Sequence, residues 1–258
     1  MNILFVGDIV GASGRKALFD NLDSLKSEYK IDLTIINGEN SAHGKGITKK
    51  IYDSFVNAGV DIITMGNHTF SKNDVYQFID SAERLIRPGN MLPLDVGKVV
   101  LIVEKNGKRI AVYNLSGEVF MDQVTESPFS MMERLLKQQR ADIHIVDLHA
   151  EATSEKITFM HYFKDKVAMV VGTHTHVQTA DEMILDGCAF ISDVGMTGAY
   201  YSVIGRDVQE TIAMTVGKEK TRFTVAENPA IFCGVVVTID EKTNRATDIK
   251  RIQIRPEQ

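Results

Sequence analysis

Short runs of Val, Ile and Leu alternate along the chain with stretches of helical periodicity, which predicts buried strands between helices. Residues 3–6 form the first such run. Leu18, Leu22 and Leu25 then recur at helical spacing with polar residues between them. A second strand is predicted at 33–36. The next helix starts after Thr48 as N-cap, shows Ile51 and Phe55 on one face, and stops at Gly59. A third strand follows at 61–65. Further on, runs at 99–104 and 109–113 flank Asn106-Gly107, a pair that tolerates the positive φ angles of a type I′ turn, so a hairpin is expected. A helix at 130–139 and strands at 143–147, 167–171 and 190–193 come next. The chain closes on a second hairpin, 235–239 and 249–254, turning through residues 241–244. Residues 193–201, with glycines flanking a strand end, read as a mobile loop. Parallel-type and hairpin-type strands together predict an α/β fold of two mixed sheets packed face to face with helices outside. With no repeat, low-complexity tract or linker, residues 1–258 read as a single domain.

The polar residues fall where the apolar runs end. Gly7-Asp8, Gly38-Glu39-Asn40, Gly66-Asn67-His68, Asp147-Leu148-His149 and Gly172-Thr173-His174-Thr175-His176 each follow or finish a predicted strand. In α/β sheets ligands gather at the carboxyl ends of strands, where loops converge. Five strands therefore deliver metal-binding side chains to one rim. His174 and His176, two apart in an extended segment, share a face. Carboxylate, amide and imidazole without thiolate suit Mn, Fe, Co or Zn. Asp8, Glu39, Asn40, Asn67, His149, His174 and His176 are too many donors for one catalytic ion with an open position, and fit two ions.

Composition narrows the setting. A hydrophobic fraction of 44% and a charged fraction of 24% exclude wholesale disorder. The net charge of −5 argues against broad binding to a nucleic-acid backbone. Cys188 and Cys233 form no C-x-x-C pair and read as buried apolar residues in a reducing, cytoplasmic protein. The N-terminal run has no basic flank and breaks at Asp8, so neither a signal peptide nor a membrane span is expected.

The strand-end series, together with residues 35–46, 63–69, 149–155 and 170–180, resembles the binuclear metallophosphoesterases, and specifically their bacterial YmdB-like branch. The resemblance covers nearly the whole chain. It implies a four-layer αββα sandwich, two transition-metal ions per chain (Fe or Mn, with Zn or Co as alternatives), and hydrolysis of 2′,3′-cyclic nucleotides to 3′-nucleotides, with 3′,5′-cAMP as a further substrate. It also implies that Asp8, Asn40 and His176 hold one ion, that Asn67, His149 and His174 hold the other, and that Glu39 bridges them. His68 would act as general acid or phosphate contact. The implied chemistry is in-line attack by a hydroxide bridging the metals. Two divalent ions, two carboxylates and that hydroxide leave one net positive charge, matching a phosphodiester. The chain departs from the broader superfamily, as this branch does. The usual Asp-x-His reads Asp8-Ile9-Val10, Glu39 replaces a bridging aspartate with Asn40 beside it, and Thr69 follows Asn67-His68.

Other features carry less. Gly7, Gly11 and Gly14 lack phosphate-loop spacing and read as turn glycines beside Asp8. His144 has the wrong strand phase to join His149, and His161 has no motif around it. His43, on the loop after Asn40, is a candidate for lining the substrate cleft. The alternatives to a diesterase are a phosphomonoesterase on the same metals and a regulatory nucleotide- or RNA-binding protein with little turnover. A small phosphoester is the expected partner; homo-oligomerisation is left open.

Overall fold

In the computed structural model, which describes residues 1–257, two mixed β-sheets lie back to back. In chain order the first half comprises β1 (Asn2–Val6), β2 (Asp8–Ile9), α1 (Gly11–Tyr29), β3 (Leu33–Asn37), α2 (Lys49–Asn57) and β4 (Ile62–Thr64). The middle adds β5 (Val100–Lys105), β6 (Lys108–Ser116), α3 (Pro128–Gln138), β7 (Ile143–His149), α4 (Thr153–Phe163) and β8 (Met169–Thr173). The remainder comprises β9 (Met183–Leu185), β10 (Cys188–Ile191), β11 (Met196–Ala199), α5 (Val208–Thr215), β12 (Ala230–Asp240) and β13 (Arg245–Ile254). One sheet has the order β2-β11-β12-β1-β3-β4, with β13 also paired to β12; the other runs β5-β6-β7-β8-β10-β9.

Strand alternation builds the layers. Ile3 and Phe5 of β1 share one apolar cluster with Ile143 and Ile145 of β7 and Val171 of β8, which fills the space between the sheets. Leu4 and Val6, of opposite phase, pack with Leu18, Leu22 and Leu25 of α1 and Phe55 of α2. On the far side, Val146 and Leu148 of β7 pack with Met132 of α3 and Phe159 and Phe163 of α4. Helix, sheet, sheet and helix form the expected four layers. Among the described residues, no helix is long and apolar enough to cross a membrane.

Local signals are realised where they were strongest. The Thr48 hydroxyl accepts from the Ile51 N–H at 3.4 Å, and Gly59 leaves the helix at φ 79°. Asn106 and Gly107 both take positive φ, joining β5 to β6 in register. Cys188 and Cys233 are free and buried. Strand β7 runs two residues beyond its apolar run and so contains His149, while α3 begins earlier than predicted, at Pro128 behind the Ser127 cap. The largest correction is at residues 193–201. They do not form a loose loop: β11 within them is fully buried, parallel to β2 and antiparallel to β12. Its Met-Thr-Gly-Ala sequence has little strand propensity, and tertiary pairing decides its conformation.

Phe5, inaccessible to solvent in the inter-sheet cluster, sets the scale of that core. Phe5→Ala is expected to cost about 3–5 kcal/mol in urea unfolding; a loss under about 1 kcal/mol would mean that the sheets are not held together there.

Candidate metal centre

The carboxyl ends of strands from both sheets meet at one rim. Asp8 opens β2, Glu39 and Asn40 lie in the turn after β3, and Asn67 and His68 follow β4. From the other sheet, His149 ends β7, and His174 and His176 come directly after β8. Glu39, His149 and His174 present ligand atoms within 4.8 Å of one another, and so do Asp8, Glu39 and His176. The two groups share Glu39. Asn67 Oδ1 lies 2.9 Å from His149 Nε2, and Asn40 Oδ1 lies 3.3 Å from His176 Nε2, so each amide joins one group.

The donor set fits divalent cations. Asp8 Oδ1 is fully buried and has no hydrogen-bond partner, an arrangement a protein interior tolerates poorly without a counter-charge. Gly66 leaves room at the same point, since a Cβ there would stand 2.3 Å from both Glu39 Oε2 and His149 Nε2. Hydrogen bonds from behind orient the rings. His149 Nδ1 is 2.9 Å from the Thr173 hydroxyl, which itself donates to Asp147 Oδ1 at 2.7 Å, so Nε2 is the atom turned to the centre. His176 Nδ1 donates to the Ile204 carbonyl at 2.8 Å, turning its Nε2 inward as well.

Charges crowd this floor. Burial pushes the Asp8 carboxyl up to about 7 against the opposing pull of His176 and His149. Burial also acts to raise Glu39, but His149 and His68 outweigh it and hold that carboxyl far below the usual range. Burial alone would lower His149; Glu39, Asp8 and Asp147 instead bring it up to about 9. His174 is lowered to about 3, by burial first and then by His149 beside it.

Beneath the donors lies a support that their sequence pattern did not announce. Asp147 is fully buried and accepts from Thr64 Oγ1 at 2.5 Å and Asn37 Nδ2 at 3.1 Å as well as from Thr173. Lys156 of α4, also buried, donates to the Thr173 carbonyl at 2.9 Å and to Asp193 Oδ2 at 3.0 Å. Asp193 Oδ2 also accepts from the Thr175 N–H at 3.0 Å. These bonds hold the 173–176 turn, in which His174 and His176 have φ of 102° and 67°, unusual for non-glycine residues. The only sequence signal for Lys156 and Asp193 is that both are charged residues bordering apolar stretches.

His68 stands at the cleft edge. Its backbone N–H donates to Glu39 Oε2 at 3.0 Å, and its ring Nδ1 lies 3.3 Å from Ser71 Oγ. Burial lowers its pKa. His43 is exposed, and its neighbours Gly44 and Lys45 line the cleft in its place. His144 sits away from the rim against Tyr113, ring nitrogen to hydroxyl 2.8 Å, and His161 is exposed on α4. Gly14 allows close approach of α1 to β11, a Cβ there falling 2.1 Å from the Thr197 carbonyl oxygen.

The sandwich is a fold shared with solved phosphoesterases. A Thermus thermophilus 5′-nucleotidase precursor shares the fold at 13% identity, with a TM-score of 0.56 over 98% of this chain and 54% of that one. Much nearer, the chain is 46% identical to the Bacillus subtilis protein named 2′,3′-cyclic-nucleotide 2′-phosphodiesterase, covering 98% of this chain and 97% of that protein. A crystal structure of a novel phosphatase from Mycoplasma pneumoniae superposes with a TM-score of 0.94 at 38% identity, over 98% and 93% of the two chains. A family profile described as YmdB-like protein matches residues 4–252. The chain belongs to the YmdB-like family.

Both partners of the Lys156–Asp193 pair are almost inaccessible. Lys156→Ala, which strands the Asp193 charge, is expected to cost about 3–5 kcal/mol in chemical denaturation. The Lys156→Met, Asp193→Leu double variant should cost less than the single one; a single-variant loss below about 1 kcal/mol would show that the pair does not hold the turn.

Proposed function

We propose that the chain is a metal-dependent phosphodiesterase that opens 2′,3′-cyclic nucleotides at the 2′ side. The observation that carries this reading is the pair of donor groups sharing Glu39 at the floor of a cleft of about 340 Å³. Asp8, Asn40 and His176 would hold one ion, Asn67, His149 and His174 the other, and Glu39 both. Iron or manganese is the proposed pair of ions, with zinc or cobalt as alternatives, all within the range that these donor types suit. When bound, such ions lower the pKa of water towards neutrality and offset the charge that builds on phosphoryl oxygens. Residues 1–258 are proposed to act as one domain, because one apolar cluster joins both sheets under this rim.

The protein groups then have separate tasks. The Ser71 hydroxyl at His68 Nδ1 leaves Nε2 as the nitrogen free for the substrate. In the proposed reaction a water oxygen bonds to phosphorus opposite the 2′ oxygen and gives one proton to solvent, and the bond from phosphorus to the 2′ oxygen breaks. The departing oxygen takes a proton from His68 Nε2, yielding the 3′-nucleotide. The hydrogen-bond acceptors behind His149 and His176, the Thr173 hydroxyl and the Ile204 carbonyl, keep their rings from turning as charge shifts. The name of the Bacillus subtilis relative supports the cyclic diester as substrate.

His68→Ala is expected to lower turnover of 2′,3′-cyclic AMP by about 10²–10⁴-fold with bound metal retained. The control, His144→Ala, should alter neither. Loss of metal in His68→Ala would make His68 a ligand. On matched metal, 2′,3′-cyclic AMP should be turned over faster than a nucleotide monoester; the reverse order would make the chain a phosphomonoesterase. Turnover of 3′,5′-cAMP is a separate arm of that comparison.

A further inference from the structure

The cleft has a second wall that the phosphoester chemistry leaves without a task. Arg206 and Phe223 stand on it, with the Arg206 guanidinium carbon 4.9 Å from the Phe223 ring centroid. Arg206 is not free to swing. Its Nη2 donates to Glu210 Oε1 at 2.7 Å and Oε2 at 2.9 Å, and its Nε to Oε2 at 3.2 Å. The fork is thereby fixed in one plane, and most of its charge is matched by that carboxylate. Phe223 remains 37% exposed, a large apolar ring left open to the cleft.

Backbone pairing makes the wall rigid. Arg206 and Val225 form an antiparallel bridge, the Asp207 N–H donates to the Thr224 carbonyl at 2.9 Å, and the Ala226 N–H donates to the Gly205 carbonyl at 3.0 Å. The same wall is tied to the donor groups from both sides. The Ile204 carbonyl receives His176 Nδ1, and the Gly44 carbonyl, next to Phe223, receives Asn40 Nδ2 at 3.0 Å. An aromatic ring with a guanidinium over it is thus held beside the groups that would engage the phosphate.

We infer that Phe223 and Arg206 form the shelf on which the nucleobase of the substrate stacks, making the cleft selective for nucleoside phosphates over phosphoesters without a base. Bases stack on aromatic rings and on guanidinium planes alike, with little preference among bases. Lys45, whose Nζ also lies over the Phe223 ring at 5.0 Å from its centroid, adds a positive charge for the anionic part of the same ligand. The inference deepens the phosphodiester proposal for this cleft and rests on it for the identity of the substrate.

The test is equilibrium binding of 3′-AMP and ribose 3-phosphate to the metal-loaded protein, which does not depend on turnover. The unaltered protein is expected to bind 3′-AMP at least fivefold more tightly, the lower end of what one stacked base supplies. Phe223→Leu, which keeps apolar bulk without a ring, should weaken 3′-AMP at least fivefold more than ribose 3-phosphate. Phe223→Trp should restore the preference. Equal affinities in the unaltered protein, or equal losses for both ligands in Phe223→Leu, would overturn the shelf. A preserved preference for 3′-AMP in a protein that hydrolyses no cyclic nucleotide would overturn the phosphodiester reading and leave the shelf standing.

Discussion

Two carboxylates and three imidazoles are brought to one rim, where one buried carboxylate oxygen is left without a partner. Asp8 and Glu39 are both almost fully buried, and one Asp8 oxygen accepts no hydrogen bond. Bringing such groups together costs several kcal/mol per charge unless something of opposite sign accompanies them. The surrounding fold makes sense as the means of keeping them there. Strands from two sheets end at one level, Gly66 opens space where a methyl group would collide, and the histidine turn is held in backbone conformations it would not choose alone.

The support is layered. Asp147 collects three side-chain donors and, through Thr173, fixes the ring of His149. Lys156 and Asp193 fasten the following turn from the α4 side. None of these four residues needs to touch a substrate. Their effect is to hold the inner nitrogens of His149 and His176 towards the shared Glu39. The same economy extends to the cleft wall, because the carbonyls that orient Asn40 and His176 belong to the segments that position Phe223 and Arg206. Donor geometry and wall geometry are therefore set by one network.

Much of this was legible in the residues. Alternating phase within β1 and β7 separates the inter-sheet core from the helix-facing cores, and the polar pair or triplet after each apolar run marks the rim. What escaped has physical causes. Strand β11 is made a strand by its neighbours and not by its own Met-Thr-Gly-Ala, so its segment resembled a loop. Helix α4 buries Glu155 and Lys156, which blurs the apolar stripe by which a surface helix is recognised. Asp147 was visible only as the end of an apolar run; its partners lie 26 to 110 positions away. The cleft side of the 39–46 loop belongs to Gly44 and Lys45, while His43 points to solvent, a choice of backbone turn that composition does not encode. Arg206 and Phe223, 17 positions apart and without a motif, meet only through the backbone bridge between their segments.

The central claim is that two donor groups sharing Glu39 exist to hold two metal ions. It is tested most directly by metal content per chain on freshly purified, unchelated protein and again after reconstitution with iron or manganese. Two equivalents per chain, falling when Glu39 is replaced by alanine, is the predicted result. No bound metal after reconstitution would contradict the account at its foundation, because the buried charge at the rim would then have no purpose that this fold explains.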